Sequence, residues 1–136
     1  MYNLTISPHT PVTIEIRYFG LLSASYVYSL WEMNSNLKVD TKHGNNLNSA
    51  DDIFQLPVPN SNNVGRLVEL FSTLNNPEPD ARPEIVAINI IQDNTVLFTD
   101  EKPDGFKFDG DTFTIAESKS VAANSTALND IFILLK

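Results

Sequence analysis

Hydrophobic residues in this chain recur mostly at every second position, the spacing that puts alternate side chains on opposite faces of a β-strand. In residues 11–19, PVTIEIRYF, Val12, Ile14, Ile16 and Tyr18 share one face, while Thr13, Glu15, Arg17 and Phe19 share the other. This predicts a half-buried strand, with Pro8 and Pro11 at its open leading end. In residues 24–33, ASYVYSLWEM, Tyr26, Tyr28 and Leu30 alternate with Val27, Trp31 and Met33. We read a second strand there, with an amphipathic helix as the competing reading. Residues 34–52 form a polar connection with room for one short edge strand around 37–41. Residues 53–58, IFQLPV, form an extended piece confined to a sheet edge, because Pro57 and Pro59 have no N–H to donate to a ladder.

The densest β-branched run is 84–98, EIVAINIIQDNTVLF. Ile85, Ala87, Asn89 and Ile91 fall on one face and Val86, Ile88 and Ile90 on the other. Two apolar faces predict a strand covered on both sides. Asp93-Asn94 suits a two-residue primed turn, so the run predicts a central β-hairpin with Val96 and Phe98 on the returning strand. A second hairpin is predicted over 105–116, where Phe106 and Phe108 precede Asp109-Gly110 and Phe113 and Ile115 follow. The tail closes on 131–135, IFILL, a buried strand preceded by a polar loop over 118–125.

One stretch breaks the two-residue period. Over 64–74, VGRLVELFSTL, Val64, Leu67, Val68, Leu70, Phe71 and Leu74 fall within an arc of about 160° at helical spacing. Asn62 or Asn63 supplies a start and Asn75-Asn76-Pro77 a stop. The sum is a mainly β chain of seven or eight strands with one short helix near 63–74. It predicts an antiparallel two-sheet β-sandwich spanning 1–136 as a single domain. An α+β sheet with the helix on one face, or a small barrel, is the alternative.

Composition narrows function more than it identifies it. Nine Lys and Arg against 17 Asp and Glu give a net charge of -8. That balance opposes a nucleic-acid binder, which needs a basic stripe, and opposes attachment to anionic lipid. Hydrophobic content of 42% and a mean hydropathy of -0.13 describe an ordinary soluble globule, and no apolar run approaches the roughly 20 residues of a membrane span. Without cysteine there is no disulfide, thiolate nucleophile or Cys-based zinc site. The N-terminal MYNLTISPHT lacks the basic start and apolar stretch of a secretory leader. We therefore expect a cytoplasmic protein, with export after removal of a leader as the alternative.

Three groups of residues carry candidate chemistry. The window DEKPDGFKFDGD places Asp100, Asp104, Asp109 and Asp111 beside two glycines, and carboxylates gathered on a turn are the ligand type calcium takes. The spacing departs from the EF-hand loop, and a solvated turn that keeps an edge soluble explains it equally. His9 and His43 lie in polar segments without the local spacing of a zinc site or a hydrolytic triad. Tyr26, Tyr28 and Trp31 crowd the second strand, where an exposed aromatic face would stack on a sugar or anchor a protein partner and a buried one would be core. The expectation is a non-enzymatic protein-interaction or assembly module without a cofactor. Its partner is another protein or a second copy joined through a sheet edge. A carbohydrate- or calcium-dependent ligand binder is the alternative, and an enzyme is not expected.

Overall fold

Among the described residues, period-two patterning yields ten strands and almost no helix. The computed structural model describes residues 1–47, 52–95, 97, 99 and 111–136, and the backbone alone for 107–109. The strands are β1 (Tyr2–Leu4), β2 (Thr13–Gly20), β3 (Ser23–Trp31), β4 (Lys38–Asn45), β5 (Ile53–Gln55), β6 (Leu67–Asn76), β7 (Arg82–Ile91), β8 (Lys107–Asp109), β9 (Thr112–Val121) and β10 (Ser125–Leu135). They form two five-stranded sheets, in the orders β1-β10-β6-β3-β4 and β5-β2-β7-β9-β8. All pairings are antiparallel except that of β1 with β10. The sheets pack face to face as a β-sandwich. The core between them takes Ile14 and Ile16 of β2, Tyr28 and Leu30 of β3, Leu70 of β6, Ile88 and Ile90 of β7, and Phe113 and Ile115 of β9, all without solvent exposure.

The predicted helix near 63–74 is strand β6. Read at two residues per repeat, Val68, Leu70, Ser72, Leu74 and Asn76 point inward and are buried, while Leu67, Glu69, Phe71 and Thr73 are half-buried on the outer face. The helical arc arose because Leu67 and Phe71 make that outer face partly apolar as well. As a strand the segment pairs with β3 on one side and β10 on the other along nearly its whole length. An isolated helix would offer nothing to those two neighbours. Only the residues read as its cap turn helically, as one 3-10 turn over Asn60–Asn63. Asn63 is buried there, its Nδ2 donating to Pro57 O at 2.9 Å and to Asn60 Oδ1 at 2.8 Å.

The central hairpin is also revised. Its first arm stands, and the chain turns at Asp93-Asn94, where Thr95 N donates to Gln92 O at 3.1 Å. The turn is not a primed one, because only Asn94, at φ 56°, is in the left-handed region. Both edges of β7 are taken by β2 and β9, however, so the residues beyond the turn have no edge of β7 to pair with. Leu97 is buried there; Val96 and Phe98 lie outside the described residues. Nor, among the described residues, does a further layer cover the outer side of β7, where Ile85 is 38% exposed. Gln92, fully buried, ties this corner to the β1–β2 loop. Its Nε2 donates to Ser7 O and Thr10 O, and its Oε1 accepts from Ser7 N. The second hairpin exists as β8–β9, with Asp109 opposite Thr112, so the chain reverses between those two residues. The predicted polar loop over 118–125 is mostly strand. Ser118 and Ser120 are solvent-facing residues of β9, and only 122–124 form the connection.

Candidate functional site

Residues directly opposite in a ladder share a face, so the strand registers define the two outer surfaces. On the β1-β10-β6-β3-β4 sheet, one row runs Leu134, Leu67, Trp31, Lys38. The next runs Phe132, Glu69, Ser29, Thr41, and a third Asp130, Phe71, Val27, His43. Six of the nine side chains that these rows place on β10, β6 and β3 are apolar, those on β4 are polar, and Leu128 continues the apolar part at 55% exposure. The opposite sheet differs. Its outer rows read Thr13, Ile91, Thr112, then Glu15, Asn89, Thr114, then Arg17, Ala87, Ala116. Hydrogen bonds run across it from Arg17 Nε to Glu15 Oε1 (2.6 Å), from Asn89 Nδ2 to the same oxygen (2.7 Å), and from Thr114 Oγ1 to Asn89 Oδ1 (2.7 Å). Arg17 first, with desolvation opposing and Asn89 assisting, holds the Glu15 carboxyl below its ordinary range. The middle of this face is thus polar and internally satisfied, with Phe19, Ile53 and Ile85 exposed beyond it, whereas the β10-β6-β3 part of the other face is mainly apolar.

The apolar face contains a cleft of about 830 Å³. Its floor is Trp31, Leu67, Phe132 and Leu134, and one wall is the β3–β4 turn from Glu32 to Asn36. The turn reverses at Asn34, with φ 54°. It is pinned from below by Arg66, whose Nη2 meets Glu32 Oε2 at 3.2 Å and whose Nη1 donates to Asn63 Oδ1 at 3.0 Å. Gly65, at φ +94°, lets Met33 lie across the cleft; a Cβ there would sit 3.0 Å from Met33 Cε. These contacts fix the wall while leaving Met33 half exposed.

Two carboxyls sit within this apolar surface. Glu69 Oε1 accepts from Trp31 Nε1 at 2.9 Å, which orients the indole. Asp130 is pushed up to about 7 by desolvation, by a hydrogen bond with Glu69, and by the charges of Glu69 and Glu117. Asp130 therefore changes charge near neutrality, beside the Glu69 carboxyl that orients the indole. The arrangement is suited to receiving apolar side chains around a single cation.

Of the aromatic residues singled out in the sequence, only Trp31 reaches this surface. Tyr26 and Tyr28 point into the core at 3% and 0% exposure, so neither presents a face to a ligand. Tyr28 packs edge-on against Phe54 with centroids 4.6 Å apart, and Tyr26 stacks with Tyr18 at 6.4 Å. Lys38 Nζ lies 4.9 Å from the Trp31 ring centroid, covering one side of the indole. Of the candidate calcium residues, Asp100 and Asp104 lie outside the described residues, as does the side chain of Asp109. Asp111 is described, and its backbone oxygen accepts from Gln92 N at 2.9 Å. Among the described residues, no three His, Cys, Asp or Glu side chains gather as a metal site, and no helix is long and apolar enough to cross a membrane.

The sequence reading missed Leu67, Phe71, Phe132 and Leu134. The first two were assigned to a helix, and the last two to a strand buried on both faces. Once β6 and β10 are neighbours, their alternate positions converge on Trp31. Compared with protein-family models, curated proteins and solved structures, the chain matches none.

Proposed function

We propose that this domain is a non-enzymatic protein-interaction module whose docking surface is the outer face of the β1-β10-β6-β3-β4 sheet. The observation that carries this reading is the contrast between the two outer faces. Trp31, Leu67, Phe71, Phe132 and Leu134 crowd one, whereas hydrogen-bonded Thr, Asn, Glu and Arg hold the middle of the other, with Phe19, Ile53 and Ile85 spread around them. A contiguous apolar patch on one face costs solubility unless something covers it, and aromatic side chains set in a cleft are the usual anchors of a protein interface.

Charge selects the partner. The same face of a second copy would bring Glu69 and Asp130 against their own images in a chain already carrying -8. The fitting partner is a different polypeptide whose aromatic or aliphatic side chains enter the cleft beside a Lys or Arg directed at the carboxyl pair. Panning a phage-displayed random peptide library on the full chain tests this. The expected outcome is enrichment of peptides that combine apolar residues with Arg or Lys. Phe132→Glu is expected to weaken the selected peptides by about tenfold or more, with an unchanged circular-dichroism spectrum. No enrichment, or peptides indifferent to Phe132→Glu, overturns the reading.

A further inference from the structure

The four edges of the sandwich are unequal. Among the described residues three end in strands of three residues, β1, β5 and β8, with β1 pairing only Ile133–Leu135 of β10, whereas the fourth ends in the eight-residue β4. Short edge strands are a recognised way of preventing edge-to-edge association, and a long one invites pairing. We propose that two copies of this chain pair through β4, antiparallel about a two-fold axis at Thr41, so that their two five-stranded sheets become one continuous sheet.

The backbone fixes which residues are available. Asn46 N donates to Ala24 O at 3.0 Å. With the regular β3–β4 register, this places Tyr26–Gly44, Tyr28–Lys42 and Leu30–Asp40 as the hydrogen-bonded pairs. The intervening residues Thr41, His43 and Asn45 therefore aim their N–H and C=O groups at the free edge. Thr41 N bears this out: it bonds not to β3 but to the neighbouring Asp40 Oδ1, at 3.0 Å. A second β4 must pair outward-pointing residues with outward-pointing residues, which limits the two-fold registers to a few.

Charge chooses among them. Centring the axis on Asp40 or Lys42 sets that residue against its own copy. Centring it on His43 sets Lys42 opposite Gly44. A register centred on Val39 would set Asp40 opposite Lys38, but Val39 is the residue skipped in the β3–β4 ladder, where the strand is irregular. The register centred on Thr41 places Asp40 opposite Lys42 of the second copy, twice by symmetry, on either side of a Thr41–Thr41 hydrogen-bonded pair. Asp40 then gives up Thr41 N to the opposing Thr41 carbonyl and takes the opposing ammonium. The irregularity between Leu30 and Trp31 bends the start of β4 and confines the seam to its middle, so the dimer is a dissociable one. Because the axis is perpendicular to the sheet, both Trp31 clefts open on the same side, giving a bivalent docking surface if that reading of the face holds.

Sedimentation velocity over a concentration series tests the dimer without reference to any docked peptide. The full chain is expected to shift from monomer to dimer in the micromolar range. Asp40→Lys alone and Lys42→Asp alone each place like charges across the seam, and both are expected to remain monomeric. An equimolar mixture of the two restores opposite charges at both pairs and is expected to dimerise again. That recovery separates a broken seam from a misfolded chain. A wild-type chain that stays monomeric into the millimolar range, single variants that still dimerise, or a mixture that stays monomeric overturns the proposal. None of these outcomes bears on the peptide selections at the Trp31 cleft.

Discussion

Tyr18 on β2 and Ser72 on β6 share a hydrogen bond of 2.8 Å that spans the interior from one sheet to the other. Ser72 has no solvent exposure, and burial first, offset by that bond, pushes the Tyr18 hydroxyl up to about 12. Both groups are neutral, and each is the other's substitute for water. Ser72→Ala strands the Tyr18 hydroxyl and is expected to lower unfolding stability by about 1–3 kcal/mol. Combining it with Tyr18→Phe is expected to cost less than the two single changes added together. Urea denaturation of the three variants measures the coupling.

The raised Asp130 carboxyl on the apolar face predicts a pH response. Asp130 is raised to about 7 in the folded chain from an ordinary value of 3.8. A carboxyl raised on folding contributes stability below its unfolded value and loses that contribution as pH rises through the folded one. The loss therefore falls between about pH 4 and 7. Because Asp130 is substantially exposed, solvent screening reduces the effect to about 1 kcal/mol or less. Trp31 is the only tryptophan and is hydrogen-bonded to Glu69, so its emission should shift with a midpoint near pH 7. Asp130→Asn is expected to abolish that midpoint, as fluorescence titration would show.

Glu84 gives a second, interior contribution of the same sign. Its side chain is fully buried; Oε2 accepts from Leu22 N at 3.0 Å, while Oε1 has no hydrogen-bond partner. Burial raises the carboxyl above its ordinary 4.5, against the Leu22 hydrogen bond that lowers it. Its contribution is therefore lost as pH rises through that raised value. Glu84→Gln keeps the acceptor for Leu22 and removes the buried charge. It is expected to gain on the order of 1 kcal/mol at pH 8 and nothing at pH 4, as urea denaturation at the two pH values would measure.

Gly44 on β4 lies where a Cβ would come within 2.6 Å of the Tyr26 ring. Tyr26 is itself buried and stacked on Tyr18, so it has little room to retreat. Gly44→Ala is expected to lower stability by about 1–3 kcal/mol through overpacking. Pairing it with Tyr26→Leu, which removes the clashing ring atoms, should recover part of that loss in thermal melts.

The candidate site was legible only at Trp31. Its companions Leu67, Phe71, Phe132 and Leu134 sit at the outward positions of β6 and β10, strands separated by 48 residues or more and adjacent only in the folded sheet. Apolar residues facing outward also obscure the period that would reveal them. On β6 they turned a two-residue alternation into a convincing helical arc. On β10 they made Ile131–Leu135 read as buried on both faces.

What the sequence determined by itself was the strand-forming alternation of β2, β3 and the first arm at β7, the positions of the turn at Asp93-Asn94 and of the reversal between Asp109 and Thr112, and hence a two-sheet sandwich. Each of these depends on residues within a few positions of one another, where side-chain direction and backbone preference act directly. Tertiary structure alone decided that β6 is a strand, because its ladder partners β3 and β10 are far away in the chain. It likewise decided that β7 has no hairpin partner of its own, because β2 and β9 occupy both edges. It also decided which aromatic residues face out: Tyr26 and Tyr28 look inward onto the opposing sheet, and Trp31, past the irregularity in the β3–β4 ladder, remains at the surface.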